Sequence, residues 1–598
     1  MRWATAGRRM AGALAATGAL VGNPLPAVSP GKAEARPAPR STLRVGLWTL
    51  WHDREVVLAA SAPGHQTMLS TCAECAFATL DQSADIHADG DALLLSAAGK
   101  SEPAGEIRLT GTITLAAHGE KVTLQNPTTI AARHGMLVIA VTLPVESYVE
   151  RVVASESGPA DSAESLKALA VVVRTFALHE NHGHAEYDLC DSTHCQLLHW
   201  GGRSERQAVA HAAALATAGE TLWFKGRRAL GYFHQDCGGR TATPAEIWQH
   251  AGPATYLPSH VDAYCTRSGG RTWATEMTRA ELTSALAAHG LVRPGWQSLT
   301  VARRGESGRA VVLRLDATEV SAEDFRLAVG ESLGWNRLPS TWFEVSSEGD
   351  RFVFHGRGSG HGVGLCQAGA AAMAAQGHSA REILAEYFPG TVTADESTGM
   401  EWKSLGGTGF VLETLDGADS AYLPEVGRAR AEAAQRSGLD ASEPFTMRTF
   451  GSVQGFRDAT LAPGWVAAFT EGDWIGVQPL RILAGRHLLE STLRHEFLHA
   501  LVELEAGPQT PLWLREGLVE VWSEPEAARR APNPGPLMTL DAVDAGLANA
   551  RSEAESEAAH QAAAEYAARL LDRYGRTQVL AWLRSGVPGD VAASLGRR

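Results

Sequence analysis

The stretch "SESGPADSAESLKALAVVVRTFAL", residues 155–178, sets the reading of the chain. Leu166, Leu169, Ala170, Val173, Phe176 and Ala177 recur at helical spacing, so this run is expected to form a helix with one apolar face. Asp161 followed by Glu164 suits a capping box, and Pro159 lies just outside it. Glu156 falls at the junction between an amphipathic run and this capped helix. A carboxyl at such a junction can be held by packing and raised in pKa, as a general acid requires. Arg174, on the following helix, is placed to orient a substrate or to tune that carboxyl. A lone glutamate near a helix start is more often a cap or a solvated charge, so spacing alone does not assign catalysis.

Upstream, residues 43–145 read as β-rich. "ITLAAHGEKVTLQN" and "TTIAARHGMLVIAV" each place His-Gly between two strand-prone runs, which is a hairpin pattern. Downstream, three segments concentrate chemistry. "HAEYDLCDSTHCQLLHWGG" gathers His184, Asp188, Cys190, His194 and Cys195. "GYFHQDCGGRTATPAEIWQ" sets His234 and Cys237 before a glycine pair. "GRGSGHGVGLCQAGAAAMAAQGHSAREILAEYFPGT" is glycine-rich around His361 and then turns helical. Glycines there permit positive φ and close backbone approach, so the loop is expected to be shaped for a ligand. Helical and loop segments alternate as far as residue 391.

A chain of 598 residues implies several domains. With 44% hydrophobic and 20% charged residues, each can bury a core, and a net charge of −14 argues against bulk electrostatic binding of nucleic acid. The N-terminus "MRWATAGRRMAGALAATGALVGNPLPAVSP" has the order of an export signal, and Arg8-Arg9 hints at a twin-arginine route. The expected location is therefore the periplasm, envelope or exterior, with no transmembrane span in the mature chain. Seven cysteines are too few for a disulfide-built scaffold. Cys237 and Cys265 are expected to form a bridge. Cys72 and Cys75 form a lone CxxC, read as a chance spacing rather than a bridge or half a metal site.

Residues 43–393 resemble the SpoIID/LytB family of bacterial cell-wall proteins, through "SESG…SLKALAVVVRTFAL", "YDLCDSTHCQ", "CGGRTATPAEIW" and "GSGHGVGLCQAGAAAMAAQGHSAREILAEYFPGT" in that order. The family includes a sporulation lytic transglycosylase acting on denuded peptidoglycan strands, and amidase enhancers. The resemblance implies that Glu156 is the catalytic acid/base and that Arg174 binds substrate. It implies that His234, His361 and Gln367 line a groove. It also implies a zinc site from His184, Cys190 and either His194 or Cys195, ordering a loop rather than activating water. A Cys190–Cys195 disulfide is the competing structural reading. A role in sporulation does not follow, because the family extends beyond spore formers.

A second signature lies in "STLRHEFLHALVE", residues 491–503. His495 and His499 share one helical face, with Glu496 placed to polarise a zinc-bound water. "TPLWLREGLVEVWSE" offers Glu516 as a third ligand, with Glu520 one turn later to orient a histidine. Together these resemble gluzincin (peptidase MA-like) domains over residues 405–585, although "EGLVEVW" lacks a tyrosine common in that family. The expected architecture is a multidomain α+β chain. Its parts are a signal and linker at 1–40, a β-rich part with an α/β SpoIID-like core at 41–395, a linker at 396–408, and a mostly helical zincin-like α+β domain at 409–598.

Three functions follow as expectations. The first is an exported enzyme cutting peptidoglycan glycan strands through Glu156, with a zinc-metallopeptidase-like domain attached. The second is a non-catalytic wall-binding protein that enhances a cell-wall amidase. The third is a wall-anchored secreted zinc protease.

Overall fold

The computed structural model describes residues 41–61, 66–179, 183–201, 205–248, 251–252, 254–267, 269–462, 466–472, 474–523, 538–550 and 552–595. The expected export signal lies outside these residues. The described residues all belong to one compact unit.

Twelve strands between Thr42 and Pro144 build two six-stranded antiparallel sheets. Both His-Gly pairs are two-residue hairpin turns, closing Ala117 on Glu120 and Arg133 on Met136. His118 and Gly119 adopt φ of 40° and 89°, and His134 and Gly135 adopt 54° and 75°. Turns with two positive φ values match the right-handed twist of the strands they join. Cys72 and Cys75 form a disulfide, which corrects the reading of that CxxC as chance.

The last strand, Met136–Pro144, runs straight into the helix Val145–Glu156, and the helix Ala163–Ala177 follows. The cap of the second helix differs from expectation. Ser165, not Glu164, closes the box: its hydroxyl accepts from the Ser162 N–H and donates to Asp161. Glu164 instead pairs with Lys167 and accepts from the Ala380 N–H. The helix is buried on nearly every side, and one hydrophobic core runs from Leu43 to Phe388.

A smaller lobe is inserted into this core between the paired strands Thr272–Thr278 and Arg351–Arg357. It has two three-stranded sheets, the helices Arg279–Ala288 and Ala322–Leu333, and a hydrophobic core of its own. Sequence reading did not separate it from its surroundings.

The C-terminal region sets a five-stranded mixed sheet against helices including Leu423–Ser437, Leu489–Glu505 and Leu512–Ser523. Its core spans Phe410 to Leu595. The segment expected as a linker is structured. Lys403–Gly407 is the first strand of that sheet, and Trp402 is buried. Trp402 belongs to a fourth apolar cluster that also contains Leu215 and Ala218 from the N-terminal side.

At this junction Arg448 is 2% exposed. It binds Glu413 and Glu220 at 2.5 and 2.6 Å and donates to the Ala218 carbonyl at 3.0 Å. Its guanidinium lies 4.5 Å from the Trp402 ring centre. Removing one partner of a buried ion network strands the others without compensation. Arg448→Ala is therefore expected to cost about 3–5 kcal/mol, read as a lowered midpoint in denaturant unfolding, whereas Arg381→Ala at the exposed edge of the network should change it little.

Candidate functional site

Glu156 is the last residue of its helix, and Ser157 turns the chain into extended conformation. No basic residue lies in the last turn, so the negative end of the helix dipole is left facing this carboxyl. That arrangement disfavours an ionised glutamate. Burial pushes the Glu156 carboxyl up to about 7, with only the Leu197 N–H, at 3.3 Å, pulling the other way. A carboxyl tuned to neutrality near pH 7 is what a general acid needs.

Glu156 opens onto a cleft of about 380 Å³. His234, His361 and Gln367 line the same cleft. Gln367 donates to the Glu156 carbonyl at 3.1 Å and so fixes the helix end. His234 is 3% exposed. Its Nδ1 faces the Val363 carbonyl at 3.1 Å, while Nε2 has no partner among the described residues. Burial, then the neighbouring His361 and Arg309, hold its imidazole well below the usual range. His361 Nδ1 accepts from the Val363 N–H, and burial pushes this imidazole down to about 4. Both rings are therefore neutral hydrogen-bonding groups rather than cations at neutral pH.

Sequence reading missed several lining residues. Gln196 is buried, with its carbonyl bound by the Tyr148 hydroxyl and its Nε2 without a partner among the described residues. Its place in "YDLCDSTHCQ", directly after Cys195, was the available signal. Arg326, Trp335 and Asn336 come from the inserted lobe, which forms one wall. Trp335 is 38% exposed and rests on Gly330, where a Cβ would stand 2.4 Å from the indole ring. Arg271 lies at the rim, donating to Gln235 at 3.1 Å. No local pattern marks these residues, because distant segments bring them together.

Arg174 does not reach the cleft, which corrects its expected substrate role. It is 0% exposed and forms a two-pronged pair with Glu146, at 2.8 and 2.5 Å. It also donates to the carbonyls of Ala214 and Glu220. Its task is to lock three helices and a strand behind Glu156.

The glycine loop also differs from its reading. Gly358, Gly360, Gly362 and Gly364 all have positive φ, but each lies close to the protein's own chain. A Cβ on Gly364 would sit 2.1 Å from the Tyr232 carbonyl oxygen, and one on Gly362 would sit 2.4 Å from Arg309 Nε. The glycines seat the loop on its neighbours and so aim His361.

His184, Cys190, His194 and Cys195 do converge, with one donor atom from each within 4.8 Å of the others. Cys190 and Cys195 are not bridged. His184 Nε2 lies 3.1 Å from Cys195 Sγ, and His194 Nδ1 lies 3.7 Å from both sulfurs. The hydrogen bond from Cys195 pulls the Cys190 thiol down. Two imidazoles and two sulfurs at this spacing fit a tetrahedral zinc ion. The loop they close delivers Leu197 to Glu156. No bridge joins Cys237 to Cys265 either, contrary to expectation.

In the C-terminal region, His495 and His499 face each other with Nε2 atoms 3.0 Å apart. Glu516 Oε2 lies 3.5 Å from His499 Nε2. Burial and the facing His499 push His495 down to about 4, and burial with His560 does the same to His499. Two imidazoles and a carboxyl are donor types that zinc takes. Glu496 is raised to about 7 by burial and accepts from the Thr470 hydroxyl at 2.6 Å. It shares a cleft of about 350 Å³ with His495 and Glu520. Glu520 faces His560 Nδ1 at 3.2 Å, which brings His560 into the site. Tyr566 is buried and donates to the Met538 carbonyl, so it serves packing.

Comparison with known proteins bears on the first site. Residues 133–224 match the SpoIID model, "Stage II sporulation protein", and residues 267–364 match a domain of unknown function, DUF8618. The first match, with the sporulation and amidase-enhancer relatives below, supports the SpoIID family over the matched residues. An uncharacterized protein of Brachyspira hyodysenteriae is 29% identical over 43% of this chain and 69% of its own length. Stage II sporulation protein D of Bacillus subtilis is 28% identical over 42% and 74%. Over 88 residues the chain is 30% identical to the Amidase enhancer of Bacillus subtilis, covering 12% of that protein. The DUF8618 match covers most of the inserted lobe and the His361 loop. No helix among the described residues is long and apolar enough to cross a membrane.

Seating the glycine loop is testable without an activity assay. Gly364→Ala, at φ +73°, is expected to lose about 1–3 kcal/mol of stability in thermal or denaturant unfolding. Gly377→Ala shares the positive φ, at +88°, but has no atom near its Cβ position, so it should lose less.

Proposed function

We propose that this protein is an exported cell-wall enzyme that cuts peptidoglycan glycan strands without water. One observation carries the reading: Glu156 is the sole carboxyl among the described residues lining its cleft. Hydrolytic glycosidases place two carboxyls across the bond, one as acid and one as base or nucleophile. A cleft with a single carboxyl suits an intramolecular displacement. Protonated Glu156 gives its proton to the oxygen linking N-acetylmuramic acid to N-acetylglucosamine. As that bond breaks, the 6-hydroxyl of the same muramic residue attacks the anomeric carbon. Its proton passes to the Glu156 carboxylate, which restores the acid and leaves a 1,6-anhydro end. The neutral His234 and His361 and the Gln196 amide offer hydrogen bonds to sugar groups without adding charge. Trp335 offers an apolar face to a sugar ring, and Arg271 suits the lactyl carboxylate of a muramic residue. The names of the sporulation and amidase-enhancer relatives point to the same cell-wall setting. A zinc ion held by His184, Cys190, His194 and Cys195 would order the loop that carries Leu197.

The C-terminal site supports a second activity, peptide hydrolysis. His495, His499 and Glu516 would hold a zinc ion, which supplies Lewis acidity and an activated water. Glu496, near neutrality at pH 7, is placed to accept and return a proton.

Denuded glycan strands incubated with the protein should yield 1,6-anhydromuramic products by mass spectrometry. Glu156→Gln should lower the rate by ~10²–10⁴-fold. The acid form of Glu156 predominates below its pKa of about 7, so the rate should fall roughly tenfold per pH unit above that point. Hydrolysed, non-anhydro ends would reject the mechanism. Undiminished stimulation of a cell-wall amidase by Glu156→Gln protein, with no glycan product from the wild type, would favour the amidase-enhancer reading. For the C-terminal site, peptide cleavage should vanish in Glu496→Ala while zinc content is kept, and His499→Ala should lose the zinc.

A further inference from the structure

Behind the His234–His361 wall, four buried side chains converge: Cys237, Asp262, Cys265 and Cys366. One sulfur or carboxylate oxygen from each lies within 4.8 Å of all the others. They come from three separate segments. Cys237 follows the strand Phe233–His234, Asp262 and Cys265 belong to the turn and helix at Ala263–Arg267, and Cys366 is the N-cap of the helix Gln367–Ala375. None is in a disulfide.

Fixed backbone donors surround the sulfurs. Three backbone N–H groups point at the thiols: Gly239 to Cys237 Sγ at 3.3 Å, Cys237 to Cys366 Sγ at 3.3 Å, and Gly369 to Cys366 Sγ at 3.4 Å. A neutral thiol is a weak acceptor, whereas hydrogen bonds to an ionised acceptor are roughly twice as strong. Arg309, 0% exposed, adds a buried cation that donates to the carbonyls of Cys237 and Gly360. The carboxylate is oriented as well. Asp262 accepts from the Tyr387 hydroxyl and from the Cys265 N–H, both at 2.8 Å, and Cys237 Sγ lies 3.3 Å from its Oδ2. Gly369 closes over this group. A Cβ there would stand 2.0 Å from the Tyr387 oxygen and 2.5 Å from Asp262 Oδ2.

A disulfide would use two of these sulfurs and strand the third beside a buried carboxylate. Four soft and hard donors without any apolar filler match a closed tetrahedral set instead. We propose that Cys237, Asp262, Cys265 and Cys366 bind one zinc ion, as a structural clip that fastens the histidine wall of the cleft to the helix carrying Gln367. The site is separate from the His184–Cys195 cluster, and it stands whether or not the chain cleaves glycan.

The test is made on the full chain, purified without chelator, in a Cys195→Ala, His499→Ala background that removes the other two candidate sites. Metal analysis should find one zinc per chain, and adding Cys366→Ala should remove it. Because Cys366→Ala can compromise folding, Asp262→Asn, which keeps the size of the side chain, is the second variant. It should weaken zinc retention against a competing chelator by at least ~10-fold. Disulfide mapping of the unreduced, denatured wild-type chain should show Cys72 joined to Cys75, with Cys237, Cys265 and Cys366 alkylated as thiols. A cross-link among those three cysteines, absence of zinc in the background chain, or zinc retention unchanged in both variants would overturn the site.

Discussion

The buried pair between Arg174 and Glu146 is the interaction on which the cleft depends. Glu146 sits in the first turn of the helix that ends at Glu156, so fixing one end of that helix aims the other. Arg174 spends its remaining donors on the Thr217 hydroxyl and on backbone carbonyls of the helix Glu205–Ala216 and strand Glu220–Phe224. An isolated buried ion would be costly, and here every charge has a partner. The proton chemistry of Glu156 can then be left to burial alone, since its position is already determined.

The two candidate sites use the same physical device for different ends. Glu156 and Glu496 are each raised to about 7 chiefly by loss of solvent, with Glu516 adding to the rise at Glu496. What differs is the company. Glu156 shares an open cleft with amide, imidazole and indole groups and with two arginines, Arg271 and Arg326, but with no second carboxyl among the described residues. Glu496 lies beside paired imidazoles and a carboxylate, suited to a divalent ion. Only at the second does a helix spacing written in the sequence, His495 to His499, supply part of the geometry.

Local features were legible before the structure. The His-Gly hairpins, the capped helix after Glu156 and the one-faced pair His495 and His499 each follow from residues within a few positions of one another. Long-range choices were not legible. Whether Arg174 faces substrate or Glu146 depends on a residue 28 positions away. Whether Cys237 meets Cys265 alone, or Cys366 as well, depends on a strand pairing across more than 120 residues. The inserted lobe escaped notice because its short strands and helices share the composition of the chain around it. Its contribution to the cleft, Trp335 above all, therefore had no sequence signature. The glycine loop was rightly singled out but for the wrong neighbour, since positive φ says that something comes close and not what.

Glu220 has a consequence of its own. Its backbone carbonyl accepts from Arg174, while its carboxylate binds Arg448 on the C-terminal sheet. One residue thus serves as keystone for both halves, with its main chain turned to the N-terminal helices and its side chain to the C-terminal sheet. A gene-fusion origin would leave two modules that can be swapped at will. Here, exchanging either half would mean supplying a new counter-ion for Arg448 and a new indole for it to rest on at the same buried spot.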